Sequence, residues 1–305
     1  MSETVASTKL KYSPFLVVIN VGSSTIKMAT YQIGNNKLKL KERCSTERDV
    51  TVFIERFKEL ISGRKEKVIA VAHRVVAKDS STKSPCVIND RVLAKLIETE
   101  HLAPNHNPFA ISIIKICQSL FGQYVLQTIH SDSEFFNNLP EVASDYAVSR
   151  FITSNVDLVK KGFHGFAHKS MLKAIKEVKS SVFGKHNKNK RLISIQLGSG
   201  CSICAIYKGQ PIDISMGVST NEGLIMSNRS GDVDVNSILK VLHEKHISVD
   251  QLISELHQSS GLLGLTGYSG DMSKISISDR ESDQLAINKY CYRIRKYIGA
   301  YIAVL

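Results

Sequence analysis

Apolar and polar positions along this chain alternate in short blocks, and two of the blocks repeat one pattern. In the first, Phe15 to Ile19 is an apolar, β-branched run that predicts a buried strand. Gly22-Ser23-Ser24 predicts a tight turn, and Ile26 to Tyr31 the returning strand. In the second, the apolar run from Arg191 to Leu197 meets Gly198-Ser199-Gly200, and a further apolar run continues to Tyr207. An amide precedes each glycine turn, Asn20 and Gln196, and a polar reversal follows each hairpin, Gly34-Asn35-Asn36 and Lys208-Gly209-Gln210. Two such units predict a duplicated α/β fold whose two glycine turns face each other across a cleft.

Helical periodicity fills the intervals. Val50 to Ser62 places Phe53, Ile54, Phe57, Leu60 and Ile61 on one side of a helix. Asp90 to Glu100 is a helix capped by Asn89 or Asp90 and stopped by the proline-bounded segment His101 to Pro108, after which Phe109 to Leu120 is the next. Val68 to Val76 and Val125 to Ile129 are buried strands, and Pro140-Glu141 begins a helix. Later helices run from about His168 to Val178, over Val235 to His243 and Val249 to Gln258, and finally over about Ser282 to Val304. Lys37 to Asp49 is a charged stretch with no element assigned. The expected organisation is a loose leader over residues 1–14, a first domain over 15–150 and a second over 151–305, divided near Arg150.

Composition narrows the class. The chain has 305 residues, 43% hydrophobic and 22% charged, as a soluble globular protein has. No apolar run approaches the roughly 20 residues of a membrane span, and the leader lacks the features of a signal or transit peptide, so a cytoplasmic protein is expected. The formal charge of +12 favours anionic partners. Its lysines are dispersed, and the densest basic run, Gly184 to Arg191, reads as a solvated loop with no interleaved aromatics; nucleic acid is not an expected partner. The six cysteines read as free thiols, and Cys201 and Cys204, three apart in a strand, read as half-buried small residues rather than metal ligands.

Candidate chemistry gathers at the turns. Gly22 lets backbone approach a bulky anion, hydroxyls at Ser23 and Thr25 can donate to it, Lys27 adds charge and Asn20 an amide. Lys27 lies in a strand, so this is not a P-loop. Arg74 lies within a buried run, where it requires either a structural carboxylate or an anionic ligand. Asp132 follows the carboxyl end of a strand, where α/β sheets form sites, with helix capping as the alternative. His164 is held between Gly162 and Gly165, and Arg229 lies in a polar loop of turn residues.

The stretches Asn20 to Lys27, Ala72 to Val76, Ala103 to Pro108, Gly162 to Gly165, Ser215 to Gly217, Arg229 to Asp232 and Ser260 to Gly267, in this order, resemble the acetate and butyrate kinase family. That family belongs to the actin-like, sugar-kinase superfamily, so the resemblance implies a duplicated two-domain actin-like ATPase fold of the ribonuclease H-like type. It further implies reversible phosphoryl transfer from ATP to acetate or another short carboxylate, giving acetyl phosphate and ADP, with Mg2+. By the resemblance, Asn20 helps to place metal. Ser23, Thr25 and Lys27 with Gly198, Ser199 and Gly200 form two phosphate loops. Arg74 and Arg229 clamp carboxylate and phosphoryl group, His164 donates to equatorial oxygens, and Asp132 acts on the metal or its water. Val76, His106 and Phe163 contact the acid, and a homodimer is implied.

The sequence departs from the family at several positions. The second loop of the family reads His-Leu-Gly-Asn-Gly, and here Gln196 and Ser199 replace its imidazole and asparagine. Asn105 and Thr220 stand where the family has leucine and proline, which is expected to change the preferred acid. The family continues past the last helix into a strand, a glycine-rich adenosine loop and a metal-binding glutamate. This sequence stops at Leu305, so a second domain incomplete at its C-terminus is expected. The alternative function is that of a catalytically impaired paralogue acting as a binding or regulatory protein.

Overall fold

A computed structural model of the chain describes residues 13–22, 25–34, 37–76, 84–98, 100, 106–154, 156–178 and 190–305. Ser23, Asn105, nearly all of the leader and most of the basic run from Gly184 lie outside them. The chain divides into two compact units, Met1–Glu134 and Phe135–Leu305. The division therefore falls before Arg150, because the residues from Phe135 onward are tied to the second unit. The backbone of Lys160 bonds Ser144, Asp145 bridges Val159, and Lys160 Nζ reaches the Ile214 carbonyl at 3.2 Å. Gly162, at φ +64°, lets the Phe136 ring lie so close that a Cβ would fall 2.6 Å from it.

The first unit is a six-stranded sheet in the order β3-β2-β1-β4-β6-β5. The strands are β1 Phe15–Val21, β2 Thr25–Gly34, β3 Lys37–Glu47, β4 Val68–Val75, β5 Cys86–Val87 and β6 Leu126–Ser131. β1 to β3 form an antiparallel meander, while β4 runs parallel to β1 and β6 parallel to β4. Strict alternation buries Phe15, Val17, Ile19 and Val21 on one face. That face packs with helix α1 (Val50–Leu60) and helix α3 (Asn107–Phe121) through Phe53, Phe57, Ile113, Ile114 and Cys117. Helix α2 (Asp90–Glu98) lies against α3 and starts at Asn89, whose Oδ1 accepts the Val92 amide at 2.9 Å.

The charged stretch after Gly34, which carried no assigned element, forms a strand, β3. It occupies the sheet edge with nearly all its side chains exposed. Exposure on both faces erases the burial period that marks a strand, and the lysines that obscure it suit an edge, where charge discourages pairing with other chains.

The second unit carries a three-stranded antiparallel sheet: β7 Arg191–Leu197, β8 Cys201–Tyr207 and β9 Gln210–Ile214, in that order. It repeats the meander of β1 to β3. Helix α4 (Gly165–Val178) packs on β7, and the final helix α8 (Glu281–Val304) on β7 and β8. Every residue of β8 from Cys201 to Ile206 is buried, so Cys201 and Cys204 are fully buried free thiols rather than half-buried ones. Helices α5 (Val235–Lys245) and α6 (Val249–Ser254) follow the expected pattern. The glycine-rich stretch beyond them forms a short helix, α7 (Gly261–Thr266), which its glycine content concealed. No helix among the described residues is long and apolar enough to cross a membrane.

Phe57 is buried, stacks on Phe53 at 5.2 Å between ring centroids and meets Phe121 edge-on at 6.0 Å. Phe57→Ala is expected to lower the stability of the first unit by about 3 to 5 kcal/mol in urea titrations, and a loss below about 1 kcal/mol would contradict this packing.

Candidate functional site

In the first unit, three neighbouring parallel strands deliver their carboxyl ends to one place. Asn20, near the end of β1, lies opposite Arg74, near the end of β4, and Asp132 follows directly after β6. Because side chains alternate across a strand, Asn20 and Arg74 leave the sheet on the face opposite the core residues Ile19 and His73. Arg74 donates from Nε to Asp132 Oδ1 at 2.8 Å and from Nη2 to Asp132 Oδ2 at 2.5 Å. Its Nη1 donates to Asn20 Oδ1 at 2.8 Å and to the Val21 carbonyl at 3.2 Å. Burial works against the guanidinium charge, but bidentate pairing with Asp132 outweighs it and raises the Arg74 pKa. Arg74 thus has a protein carboxylate as its partner.

Asp132 is only 3% exposed. Its turn is braced by Ser131 and Ser133, whose hydroxyls lie 2.8 Å apart, and by Ser84 Oγ, which accepts the Ser131 amide at 2.9 Å. Beside this triad, the Gly22 amide closes the first turn on the Thr25 carbonyl at 2.8 Å. Thr25 and Lys27 are exposed on β2, with Lys27 in register with Asn20, and a shallow depression is lined by Val18, Asn20, Lys27, Arg43 and Ser45. Val76 is buried, its amide donating to Asn107 Oδ1 at 3.3 Å, and His106 is half-buried at the start of α3.

The second unit assembles its own group around the second glycine turn. His164 holds φ +61°, the left-handed region that costs a non-glycine residue of order 1 to 3 kcal/mol and that concentrates at functional sites. A Cβ added at Gly200 would stand 3.0 Å from His164 Nε2 and 3.3 Å from Arg229 Nη2, so the missing side chain is what lets both side chains approach the loop. The Gly198 amide bonds the Gly200 carbonyl, and Ser199 accepts from the Ser227 amide, two residues before Arg229, each at 3.1 Å. Gln196 sets its amide nitrogen 3.6 Å from the Cβ position of Gly198. Phe163 is buried just before His164.

Arg229 differs from Arg74 in its partners. Its Nη1 donates to the Thr220 carbonyl at 2.8 Å, and among the described residues no carboxylate forms an ion pair with it. Burial accordingly lowers its pKa, with only a small opposing contribution from Cys201. A desolvated guanidinium without a counter-charge is a seat for an anion.

Several contributors were not legible as site residues. Asp232 accepts from the Gly223 amide and from Tyr297 Oη, both at 2.7 Å, and pairs with Arg293 at 3.1 Å, thereby fastening the Arg229 loop to α8. Tyr146 Oη donates to Glu222, and a Cβ at Gly217 would strike both. His168, one turn into α4, is fully buried and bonds Ser194 Oγ at 2.8 Å and Ser202 Oγ at 2.9 Å. The only sequence signal for that group is the four-residue spacing from His164. No cluster of three or more His, Cys, Asp or Glu is placed to hold a metal among the described residues.

The profile of the Acetokinase family matches residues 31–305. The acetate kinase of Chloroherpeton thalassium is 35% identical over 79% of this chain, which spans 58% of that relative's length. The acetate kinase of Acetivibrio thermocellus is 31% identical, covering 95% of this chain and 80% of its own. Among solved structures, a propionate kinase from Francisella tularensis superposes with a TM-score of 0.80 at 27% identity, over 96% of this chain and 81% of that one. Porphyromonas gingivalis acetate kinase gives 0.78 at 27% identity, over 96% and 80%.

Two histidines make stability depend on pH. Burial holds His168 neutral, at a pKa of about 3, and His73, bonded to Gln127 at 2.8 Å, at about 4. An unfolded histidine titrates near 6.5. Below that pH the unfolded chain binds protons the folded chain refuses, so stability is complete above about 6.5 and falls as pH drops toward the folded values. The slope approaches about 1.4 kcal/mol per pH unit for each histidine. Urea titrations at pH 7.5 and 5.5 are expected to show this loss, and a profile that is flat or rises with acid would contradict it.

Proposed function

This chain belongs to the Acetokinase family, and from that membership we propose that it transfers the γ-phosphoryl group of ATP reversibly to a short carboxylate. A carboxylate oxygen attacks the γ-phosphorus, the bond from that phosphorus to the β–γ bridging oxygen breaks, and acyl phosphate and ADP leave. The observation that carries the proposal is the Arg229 guanidinium, desolvated and, among the described residues, without a carboxylate partner, beside His164 and Gly200. An ionised carboxylate needs no general base, so what the reaction asks of the protein is positioning and charge.

Arg229 and His164 neutralise the charge that builds on the equatorial oxygens, and the Gly198-Ser199-Gly200 turn offers backbone at close range. Arg74, fixed by Asp132, Asn20 and the Val21 carbonyl, keeps one Nη2–H for the acid, with Val76, His106 and Phe163 assigned to its surroundings. Thr25 and Lys27 serve the nucleotide phosphates. Asn20 Oδ1 and the Asp132 carboxylate, both held by Arg74, are hard oxygen donors, the donor type that suits Mg2+, an ion commonly held by one or two carboxylates together with phosphate and water. Bound there, Mg2+ would supply charge neutralisation for the phosphates. Relatives named for acetate and for propionate support a short carboxylate as acceptor. A homodimer and a cytoplasmic location are proposed on the resemblance alone. The alternative of a silent binding protein has no observation in its favour.

Incubating the chain with Mg-ATP, hydroxylamine and acetate or propionate is expected to yield the acyl hydroxamate, and Arg229→Ala to lower kcat by about 1,000-fold or more. A folded chain that yields no hydroxamate with either acid, or an Arg229→Ala variant of undiminished rate, would overturn the proposal.

A further inference from the structure

His164 does not stand alone. Its Nδ1 lies 2.9 Å from Ser202 Oγ, and the same hydroxyl lies 2.9 Å from His168 Nε2. His168 Nδ1 is 2.8 Å from Ser194 Oγ, which in turn donates to Met171 Sδ at 3.6 Å. Ser194, His168 and Ser202 are all buried, so water does not compete for these bonds.

The file has a direction. His168 is neutral, since burial and the neighbouring His164 hold its pKa at about 3, so one of its nitrogens donates and the other accepts. With its own proton on Met171 Sδ, Ser194 Oγ accepts from His168 Nδ1. His168 Nε2 is then the acceptor and takes the Ser202 hydroxyl proton. Ser202 can offer His164 only a lone pair, which makes His164 Nδ1 the donor.

We propose that His168, acting through Ser202, is a positioning residue that keeps a proton on His164 Nδ1. Nε2, the nitrogen beside Gly200 and Arg229, then carries a proton only in the imidazolium form. Within the second unit, the titratable groups identified around His164 are Arg229 in the loop after β9 and His168 on α4. The proton placement rests on the hydrogen-bond geometry together with the neutrality of the buried His168. Its consequence, that a cationic His164 donates Nε2–H to the phosphoryl oxygens, rests on the kinase reading above.

The test uses the full chain labelled with 15N-histidine. Above the pH at which His164 titrates, its ring is expected to show a protonated Nδ1 and a bare Nε2 in the unsubstituted protein, and a proton on Nε2 in Ser202→Ala. Kinetically, Ser202→Ala and His168→Phe are expected to lower kcat about 10- to 100-fold, the range for outer partners that fix a histidine, with KM for both substrates nearly unchanged. His168→Gln, whose amide oxygen can accept the Ser202 proton, is expected to restore most of that rate. A neutral His164 protonated at Nε2 in the unsubstituted protein overturns the placement. So does a folded Ser202→Ala variant whose His164 proton stays on Nδ1. If the chain proves to have no kinase activity, the spectra still decide the placement, so the two readings fail separately.

Discussion

The ion pair between Arg74 and Asp132 joins the carboxyl ends of β4 and β6, and the geometry of the polar group in the first unit follows from it. A guanidinium on the half-covered face of a sheet needs acceptors, and four of its five N–H groups have them in Asp132, Asn20 and the Val21 carbonyl. Because those acceptors come from the two strands that flank β4 in parallel, strand register sets where the groups meet. Removing Asp132 would leave Arg74 without its counter-charge, and removing Arg74 would leave a carboxylate buried and unpaired.

The second unit treats its arginine the opposite way. Arg229 has one backbone carbonyl and a glycine turn beside it, and its loop is held from behind by Asp232, Tyr297 and Arg293. The fastening is strong and the guanidinium itself is left short of charge compensation, which is the arrangement expected of a group that meets a phosphoryl oxygen only when substrate is bound. His164 adds a second device, a left-handed backbone position whose strain is held in place by β8 and α4 packing around it.

What the sequence made legible followed from periodicity. The hairpins around Gly22 and Gly198, helices α1, α3 and α8, and the placement of Asn20, Arg74 and Asp132 at strand ends all came from apolar runs and their punctuation. β3 escaped because an exposed edge strand has no buried face to set a period. Helix α7 escaped because glycine lowers its propensity, and the unit boundary near Arg150 moved because contacts such as Tyr146 with Glu222 join residues far apart in sequence. The file from His164 to Ser194 was hidden for a related reason. It needs a helix residue and two side chains on paired strands, and only register brings Ser194 and Ser202 to the same helix.

The central claim is that Arg229 is the seat for the transferring phosphoryl group, and calorimetric titration of the chain with Mg-ATP tests it most directly. Binding is predicted for the unsubstituted protein, weakened roughly 10- to 100-fold in Arg229→Ala, as befits the loss of a charge-assisted hydrogen bond of about 1.5 to 3 kcal/mol. Equal affinity in the two proteins, or no binding by a folded chain, would contradict it.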